Sequence, residues 1–144
     1  MTWMVIRVRG SIHARSDIVE TLHALHLTRP NHATIVPEAP SYRGMLTKVQ
    51  GYVTWGEADR ETVAALLAGR GERPDGGRLG QAEGTEALVG PVTESGLGAA
   101  PGLRPVLRLK APTGGWRSTK KPFGLGGALG YRGAAINDLA RRML

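Results

Sequence analysis

Strand-like and helical patterns alternate three times in residues 1–70, and this order restricts the fold more than any other feature of the chain. In the first strand, Met4, Ile6 and Val8 fall on one face with the period of two that a half-buried strand shows. Strands are predicted at residues 3–8, 33–36 and 52–55. Three strands that alternate with three helices in so short a segment predict a compact α/β or α+β unit, with helices packed on a small three-stranded sheet.

The predicted helices are marked by capping residues and by apolar stripes. Ser16 and Asp59 can cap the first and third helices, because their side-chain oxygens can accept hydrogen bonds from backbone N–H groups of the first turn. Apolar residues recur at intervals of three and four in each helix: Ile18, Leu22 and Leu25 in the first, Tyr42, Met45, Leu46 and Val49 in the second, and Val63, Leu66 and Leu67 in the third. These stripes are expected to cover the sheet, and Tyr42 is predicted to belong to the core.

The second half of the chain divides into a spacer and an extension. Residues 71–103 are rich in glycine and hold several acidic and few large apolar residues, so they are predicted to be mostly loop. A short strand is predicted at 106–109, an irregular segment at 115–133 and a final helix at 134–143. The predicted organisation is a core at 1–70, an acidic glycine-rich spacer at 71–103, and a basic extension at 104–144.

Positive charge is concentrated in the C-terminal part of the sequence. The formal net charge of the whole chain is +7. Residues 104–144 hold nine Lys or Arg against one Asp or Glu, whereas residues 57–103 hold four against eight and residues 1–56 hold six against three. So localised an excess predicts an anionic partner for this part of the chain.

The segment at 115–133, GWRSTKKPFGLGGALGYRG, is glycine-rich and basic. Such a segment can bind either the phosphates of a nucleotide or the backbone of a nucleic acid. A Walker loop needs Gly-Lys followed by Ser or Thr, and the chain has no Gly-Lys pair. A dinucleotide-binding loop needs Gly-x-Gly-x-x-Gly, and counting from Gly124 the third glycine is replaced by Leu129. The sequence therefore predicts no nucleotide cofactor.

Other patterns of catalytic and metal-binding residues are weak. His23 and His26 lie three residues apart, but a structural zinc site normally has four nitrogen or sulfur ligands and the chain has no cysteine. His13, Ser16 and Asp17 are the residue types of a catalytic triad, yet capping of a helix explains their proximity better. No catalytic residue and no metal site are predicted.

The length of the apolar segments sets the expected location. No stretch of the sequence approaches the roughly 18 apolar residues that a membrane span requires. The sequence therefore predicts a cytoplasmic protein without a membrane partner.

The chemistry of the 115–133 segment favours RNA. Its lysines and arginines can neutralise phosphates, and its glycines allow the backbone to approach a rugged polyanion closely. Trp116, Phe123 and Tyr131 offer faces on which unpaired bases can stack. Anchoring of the extension to the core is the other interpretation of these three aromatic residues, and the sequence leaves both open.

Three stretches of the sequence together resemble a known family: VRGSIHARSDIVETLHALHL, NHATIVPEAPSYRGMLTKVQGYVTWGE and GWRSTKKPFGLGGALGYRGAAINDLARRML. They resemble the archaeal type of the large-subunit ribosomal protein L-thirty family, whose eukaryotic relatives are called L-seven. The resemblance covers residues 1–70 and 104–144 in the same order. NHATIVPE followed by YRGML is more specific than any single glycine motif in the chain.

The resemblance implies a fold, a role and a set of partners. It implies an α+β fold with a small strand-helix-strand-helix-strand core and an irregular basic C-terminal extension that ends in a helix. It also implies a non-catalytic role buttressing ribosomal RNA in the large subunit. Implied partners are the large-subunit rRNA, the smaller 5S-type rRNA and neighbouring large-subunit proteins, with no small-molecule substrate. The implied RNA-binding residues are Arg9, Arg15, His32, Arg43, Lys48, Arg117, Lys120, Lys121, Tyr131 and Arg132.

Two other classes of protein could share this sequence pattern. A free RNA-binding or ribosome-assembly factor would carry the same basic extension but would leave the large subunit in high salt. A domain for a small ligand would need a concave apolar pocket and would not need nine basic residues among its last 41.

Overall fold

The computed structural model describes residues 2–10, 14–70, 92–93, 96, 106–113, 115 and 121–143. Its strands are β1 (Thr2–Arg7), β2 (His32–Pro37), β3 (Val53–Glu57), β4 (Leu107–Arg108) and β5 (Gly130–Tyr131). Its helices are α1 (Ser16–Ala24), α2 (Pro40–Lys48), α3 (Arg60–Arg70) and α4 (Ala135–Arg142), and a 3-10 turn lies at Phe123–Leu125. The predicted strand-helix-strand-helix-strand order of an α+β protein is confirmed.

The strands form one mixed sheet in the order β4-β2-β1-β3-β5. β1 lies at the centre and pairs antiparallel with both neighbours, with Met4 opposite Ile35 of β2 and opposite Gly56 of β3. β4 extends the sheet antiparallel to β2, and β5 extends it parallel to β3. The predicted three-stranded sheet is therefore wrong in its number of strands, because the described residues form a sheet of five.

The two additional strands are short, and this explains why their place in the sheet was not predicted. β4 and β5 have two residues each, so neither is long enough to show a periodic pattern of apolar residues. The segment predicted at 106–109 does contain β4, and the segment predicted to be irregular contains β5. Short runs of backbone pairing therefore attach described parts of the extension to both edges of the core sheet.

The central strand separates two apolar cores. Met4 and Ile6 point toward α3 and α4 and pack with Leu66, Leu107 and Ile136. Val5 faces the other side, toward α1 and α2, and packs with residues of those helices including the predicted stripe residues Leu22, Leu46 and Val49. Tyr42 is partly buried against the second core, in agreement with its predicted position. The protein therefore has three layers, with the sheet in the middle.

The side chain of Asp59 caps α3, and the buried amide of Asn137 fixes the position of α4. An Asp59 carboxylate oxygen accepts a hydrogen bond of 2.7 Å from the Thr62 N–H, which confirms the predicted cap. The predicted cap of α1 by Ser16 is wrong, because Ser16 is the first helical residue and Arg15 occupies the capping position without a side-chain hydrogen bond. Buried Asn137 accepts a hydrogen bond from the Asp59 N–H and donates one to the Glu57 carbonyl, at 2.9 and 3.0 Å. These bonds join α4 to the end of β3.

Two glycines allow this close approach of α4 to the sheet. A Cβ atom at Gly56 would overlap the carbonyl oxygen of Gly133, and it would lie 3.0 Å from the Cβ of Ile136. Gly133 has a φ of 58°, in the left-handed region that glycine adopts without strain. Glycine at position 56 is therefore required by packing rather than by the conformation of the strand.

Gly56→Ala is expected to destabilise the protein by about 1–3 kcal/mol, because the added methyl group pushes α4 away from β3. Gly44→Ala is the matched control, since Gly44 lies in α2 with open space around its Cβ position. That change is expected to stabilise the protein by about 0.5–1 kcal/mol through helix propensity. Urea unfolding of both variants measures the change in the free energy of unfolding. An equal effect of the two substitutions would contradict the close packing of α4 against Gly56.

Candidate nucleic-acid interface

Basic residues gather at one end of the sheet because of the strand register. Arg7 at the end of β1 pairs with Val53 at the start of β3, and Ile6 pairs with Ala33 near the start of β2. The loops that follow β1 and precede β2 and β3 therefore meet at this end. We define the basic end by the basic residues Arg9, Arg15, Arg29, His32, Lys48, Arg108 and Lys121.

Arg7 holds the loops of the basic end together from within. Its side chain is only 2% exposed, and burial lowers the pKa of its guanidinium below the ordinary value. The guanidinium donates hydrogen bonds of 2.7 Å to the Leu27 carbonyl and 2.9 Å to the Arg9 carbonyl. Arg7 thus fixes the segments on either side of α1, and its charge is directed into the protein rather than toward a ligand.

Arg9, a predicted RNA-binding residue, is exposed and lies against the turn between α2 and β3. Its guanidinium stands 5.3 Å from the centre of the Tyr52 ring and donates a weak hydrogen bond of 3.3 Å to the Gly51 carbonyl. A guanidinium that lies with one face on an aromatic ring keeps its other face available to a phosphate. The structure therefore gives Arg9 a defined and outward position.

Two further predicted residues, Arg15 and Lys48, share one carboxylate. The Arg15 guanidinium lies 3.4 Å and the Lys48 ammonium 3.8 Å from the two oxygens of Asp17. All three side chains are well exposed, so these ion pairs add little stability. Two cations around one anion leave a net positive charge at the junction of α1 and α2.

The predicted residue His32 lies in a basic notch at the edge formed by β2 and β4. His32 pairs with Arg108 in the sheet register, and both line a cavity of about 310 Å³ with Thr28 and Arg29. Two arginines and one imidazole converge on this space. The notch has the charge and the hydrogen-bond donors to hold a phosphate group.

Lys121 reaches the basic end through the chain that precedes β5. Its carbonyl accepts a hydrogen bond from the Leu129 N–H, and Leu129 packs with Val8, which follows β1 directly. Residues 121–126 form an exposed stretch, in which Phe123 is 38% and Leu125 is 74% exposed. This stretch presents apolar side chains and one lysine to the surroundings.

Arg132, also predicted to bind RNA, points into the protein. Its guanidinium donates hydrogen bonds of 2.8 Å to the Thr54 hydroxyl and 2.8 Å to the Ala128 carbonyl. The same group lies 4.8 Å from the centre of the Phe123 ring. These contacts give Arg132 a structural role in fixing the segment that carries Lys121.

Arg43 and Tyr131 lie together at a second site on the α2 side of the sheet. Both line a cavity of about 420 Å³, and Tyr131 is 53% exposed. The Tyr131 hydroxyl donates a hydrogen bond to the Glu57 carboxylate. This bond is the main reason that the pKa of Tyr131 is raised above its ordinary value, with smaller effects of burial and of the Glu38 charge.

The structure adds residues that the sequence did not single out. Arg29 and Arg108 complete the notch around His32, and Trp3 and Trp55 line the cavity beside Tyr131. The two tryptophans could have been found from strand alternation, which places them on the face opposite Met4 and Ile6. The predicted residues Arg117 and Lys120, like Trp116, lie outside the described residues.

Two features that would indicate other functions are absent from the described residues. Within the described parts of the chain, no group of three or more His, Cys, Asp or Glu side chains is arranged to hold a metal ion. Among the helices that the structure describes, none combines the length and the apolar character needed to cross a membrane.

Comparison with known proteins identifies full-length relatives. The family described as ribosomal protein L30p/L7e matches residues 3–53. A protein of Methanococcus maripaludis named large ribosomal subunit protein uL30 is 41% identical over the whole of both chains. Proteins of the same name are 39% identical in Methanosphaera stadtmanae, over 99% of both chains, and 44% identical in Methanopyrus kandleri, over 95% of this chain and all of the relative.

Arg132→Met is expected to lower the free energy of unfolding by about 1–3 kcal/mol, because it removes two charge-assisted hydrogen bonds and leaves their acceptors without this donor. Lys121→Met is the control, since Lys121 is exposed and its substitution should change the stability by no more than about 0.5 kcal/mol. Urea unfolding measures both values. Equal stabilities of the two variants would show that Arg132 does not fix this segment.

Proposed function

The chain belongs to the ribosomal protein L30p/L7e family, and we propose that it is a structural, non-enzymatic constituent of the large ribosomal subunit. The observation that carries this function is the similarity to archaeal large-subunit proteins over 95–100% of the chain, at 39–44% identity. The protein associates with large-subunit rRNA and with neighbouring ribosomal proteins, and its location is the ribosome in the cytoplasm.

The basic end of the sheet is the proposed main contact with rRNA. Lysine and arginine side chains bind the phosphate backbone and release its counterions, which makes such binding dependent on salt. Arg9, Arg15, His32, Lys48 and Lys121 belong to this end in the structure. Arg117 and Lys120 are proposed to bind rRNA as well, as the family resemblance implies.

Basic and acidic residues lie at opposite ends of the strands, and this separation supports an orientation in which the basic end faces the rRNA. Glu38 follows the end of β2, Glu57 ends β3, and Asp59 comes two residues later, so these acids lie at the end of the sheet opposite the basic end. Repulsion between these carboxylates and phosphates disfavours binding of the RNA backbone at that end. The phosphate backbone of the RNA is therefore expected to run mainly along the basic end.

The remaining predicted partners and residues have distinct places in this proposal. Arg43 and Tyr131 form a second contact with RNA, away from the basic end, and Arg132 supports the binding surface from within. The smaller 5S-type rRNA is proposed as a further partner from the family resemblance. Exposed Phe123 and Leu125 offer an apolar contact for a neighbouring ribosomal protein.

Sedimentation of a cell extract tests the proposed function. The protein is expected to travel with the large subunit on a sucrose gradient at low salt and again at about 0.5 M salt, where binding by surface charge alone is strongly screened. Release into light fractions at the higher salt, together with RNA, would instead identify a free RNA-binding or assembly factor. Light fractions without RNA at both concentrations would contradict any role in the ribosome.

A pair of single substitutions tests the orientation. Lys121→Gln is expected to lower the salt dependence of binding to purified large-subunit rRNA, by ~0.7–0.9 in the slope of log K against log salt for one phosphate contact. Arg60→Gln removes the same charge at the start of α3, far from the basic end in the register, and should leave the slope unchanged. The reverse pattern would place the RNA at the opposite end of the sheet.

A further inference from the structure

The cavity on the α2 side of the sheet has features that phosphate binding does not explain. It measures about 420 Å³, within the roughly 300–1,000 Å³ typical of small-ligand sites. Three strands and one helix supply its walls: Trp3, Arg43, Thr47, Trp55, Glu57 and Tyr131. The site therefore combines three aromatic rings with one cation and one carboxylate.

The aromatic rings are held in place by the sheet. Trp55 of β3 and Tyr131 of β5 are paired in the strand register, and their ring centres lie 6.3 Å apart at an angle of 54°. Trp3 of β1 stands beside β3, opposite Glu57 in the register. Rings on neighbouring strands form a firm surface, and unpaired RNA bases stack on such aromatic side chains.

The polar groups of the cavity have complementary roles. The Glu57 carboxylate only accepts hydrogen bonds, and it already accepts one from the Tyr131 hydroxyl. Arg43 only donates, and it projects from α2 one turn before Thr47, whose hydroxyl donates to the Arg43 carbonyl at 2.9 Å. A ligand that fits both groups must have donors on one edge and acceptors on another.

We propose that this cavity binds a single unpaired guanine of the RNA, an inference that rests on the proposed function. The base stacks on the Trp55 ring, and the tilted Tyr131 ring borders the stacked base. Its N1–H and N2 amino groups donate to the Glu57 carboxylate. Its O6 and N7 atoms accept hydrogen bonds from the Arg43 guanidinium, the common arginine contact with guanine.

The other bases match the two polar groups less well. Adenine and cytosine each present an amino donor next to an accepting ring nitrogen, which the carboxylate repels. Uracil has one N–H between two carbonyl groups and offers no amino donor. Guanine alone among the four presents two adjacent donors to a carboxylate and two adjacent acceptors to an arginine.

Charged ligands fit the cavity less well than a neutral base. A phosphate would meet the Glu57 carboxylate, and Glu38 is near enough to act on the Tyr131 phenol. A lysine or arginine of a protein partner would be attracted to the aromatic rings and to Glu57 but repelled by Arg43. A neutral ring with both donors and acceptors avoids both conflicts.

Tryptophan fluorescence of the full-length chain tests this site directly. The chain has three tryptophans, so Trp116→Phe leaves Trp3 and Trp55 as the only reporters. Two short uridine oligonucleotides serve as probes, identical except for a central guanine in one and a central adenine in the other. The guanine probe is expected to quench the fluorescence and to bind roughly tenfold more tightly than the adenine probe, as loss of one bidentate pair implies.

Substitutions separate stacking from recognition of the base edge. Glu57→Gln should abolish the preference for guanine while retaining quenching, because the amide has nearly the same size and can still accept from Tyr131. Trp55→Leu should weaken binding of the guanine probe roughly tenfold, and Trp55→Phe should restore most of it because a ring is again present. Arg60→Gln should bind both probes as the unsubstituted chain does.

The outcomes distinguish this site from the proposed function. Absence of quenching, or equal affinity for the two probes, in a protein that still sediments with the large subunit would overturn the guanine site alone. A protein partner at the cavity would be indicated if Trp55→Leu no longer sedimented with the large subunit and neither probe quenched the fluorescence of the Trp116→Phe chain. That result would overturn the proposal. Failure of the unsubstituted protein to bind rRNA would overturn the proposed function and the guanine site together.

Discussion

The pairing of β1 with β2 and β3 is the constraint on which the rest of the structure depends. A shift of the central strand by one residue would exchange its two faces, because successive side chains point to opposite sides of a sheet. In the observed register Met4 and Ile6 enter the core beneath α3 and α4, while Trp3 and Val5 face α1 and α2. The same register brings the loops of the basic end together and places Trp3 next to Glu57.

Two kinds of surface follow from this single arrangement. The basic end collects cations from loops, the edge strand β4 and the chain before β5, and it suits the repetitive charge of an RNA backbone. The aromatic cavity on the sheet face is nearly balanced in charge and suits one base. Phosphate contacts set the orientation and the salt dependence, whereas a base contact can select a particular nucleotide. A constituent of a folded RNA particle benefits from both.

Much of the fold could be predicted from sequence because its signals are local. Asp59 caps α3, and the stripe residues Leu22, Leu46 and Val49 are buried, as their spacing indicated. The role of Arg132 and the contact of Trp55 with Tyr131 could not be predicted in this way. Arg132 is basic and close to Lys121 in sequence, but its partner Thr54 is 78 residues away. Trp55 meets Tyr131 only because β5 pairs with β3, and two-residue strands leave no periodic signal.

The central claim is that the basic end and the aromatic cavity on the α2 side of the sheet both face RNA in the large subunit. Ultraviolet crosslinking of intact large subunits, followed by mass spectrometry of this protein, tests it most directly. Crosslinked nucleotides are expected on peptides that contain Arg29 to His32, Lys121 to Tyr131, and Trp3 or Trp55. Crosslinks confined to α3, on the far side of the sheet from the aromatic cavity, would contradict the account.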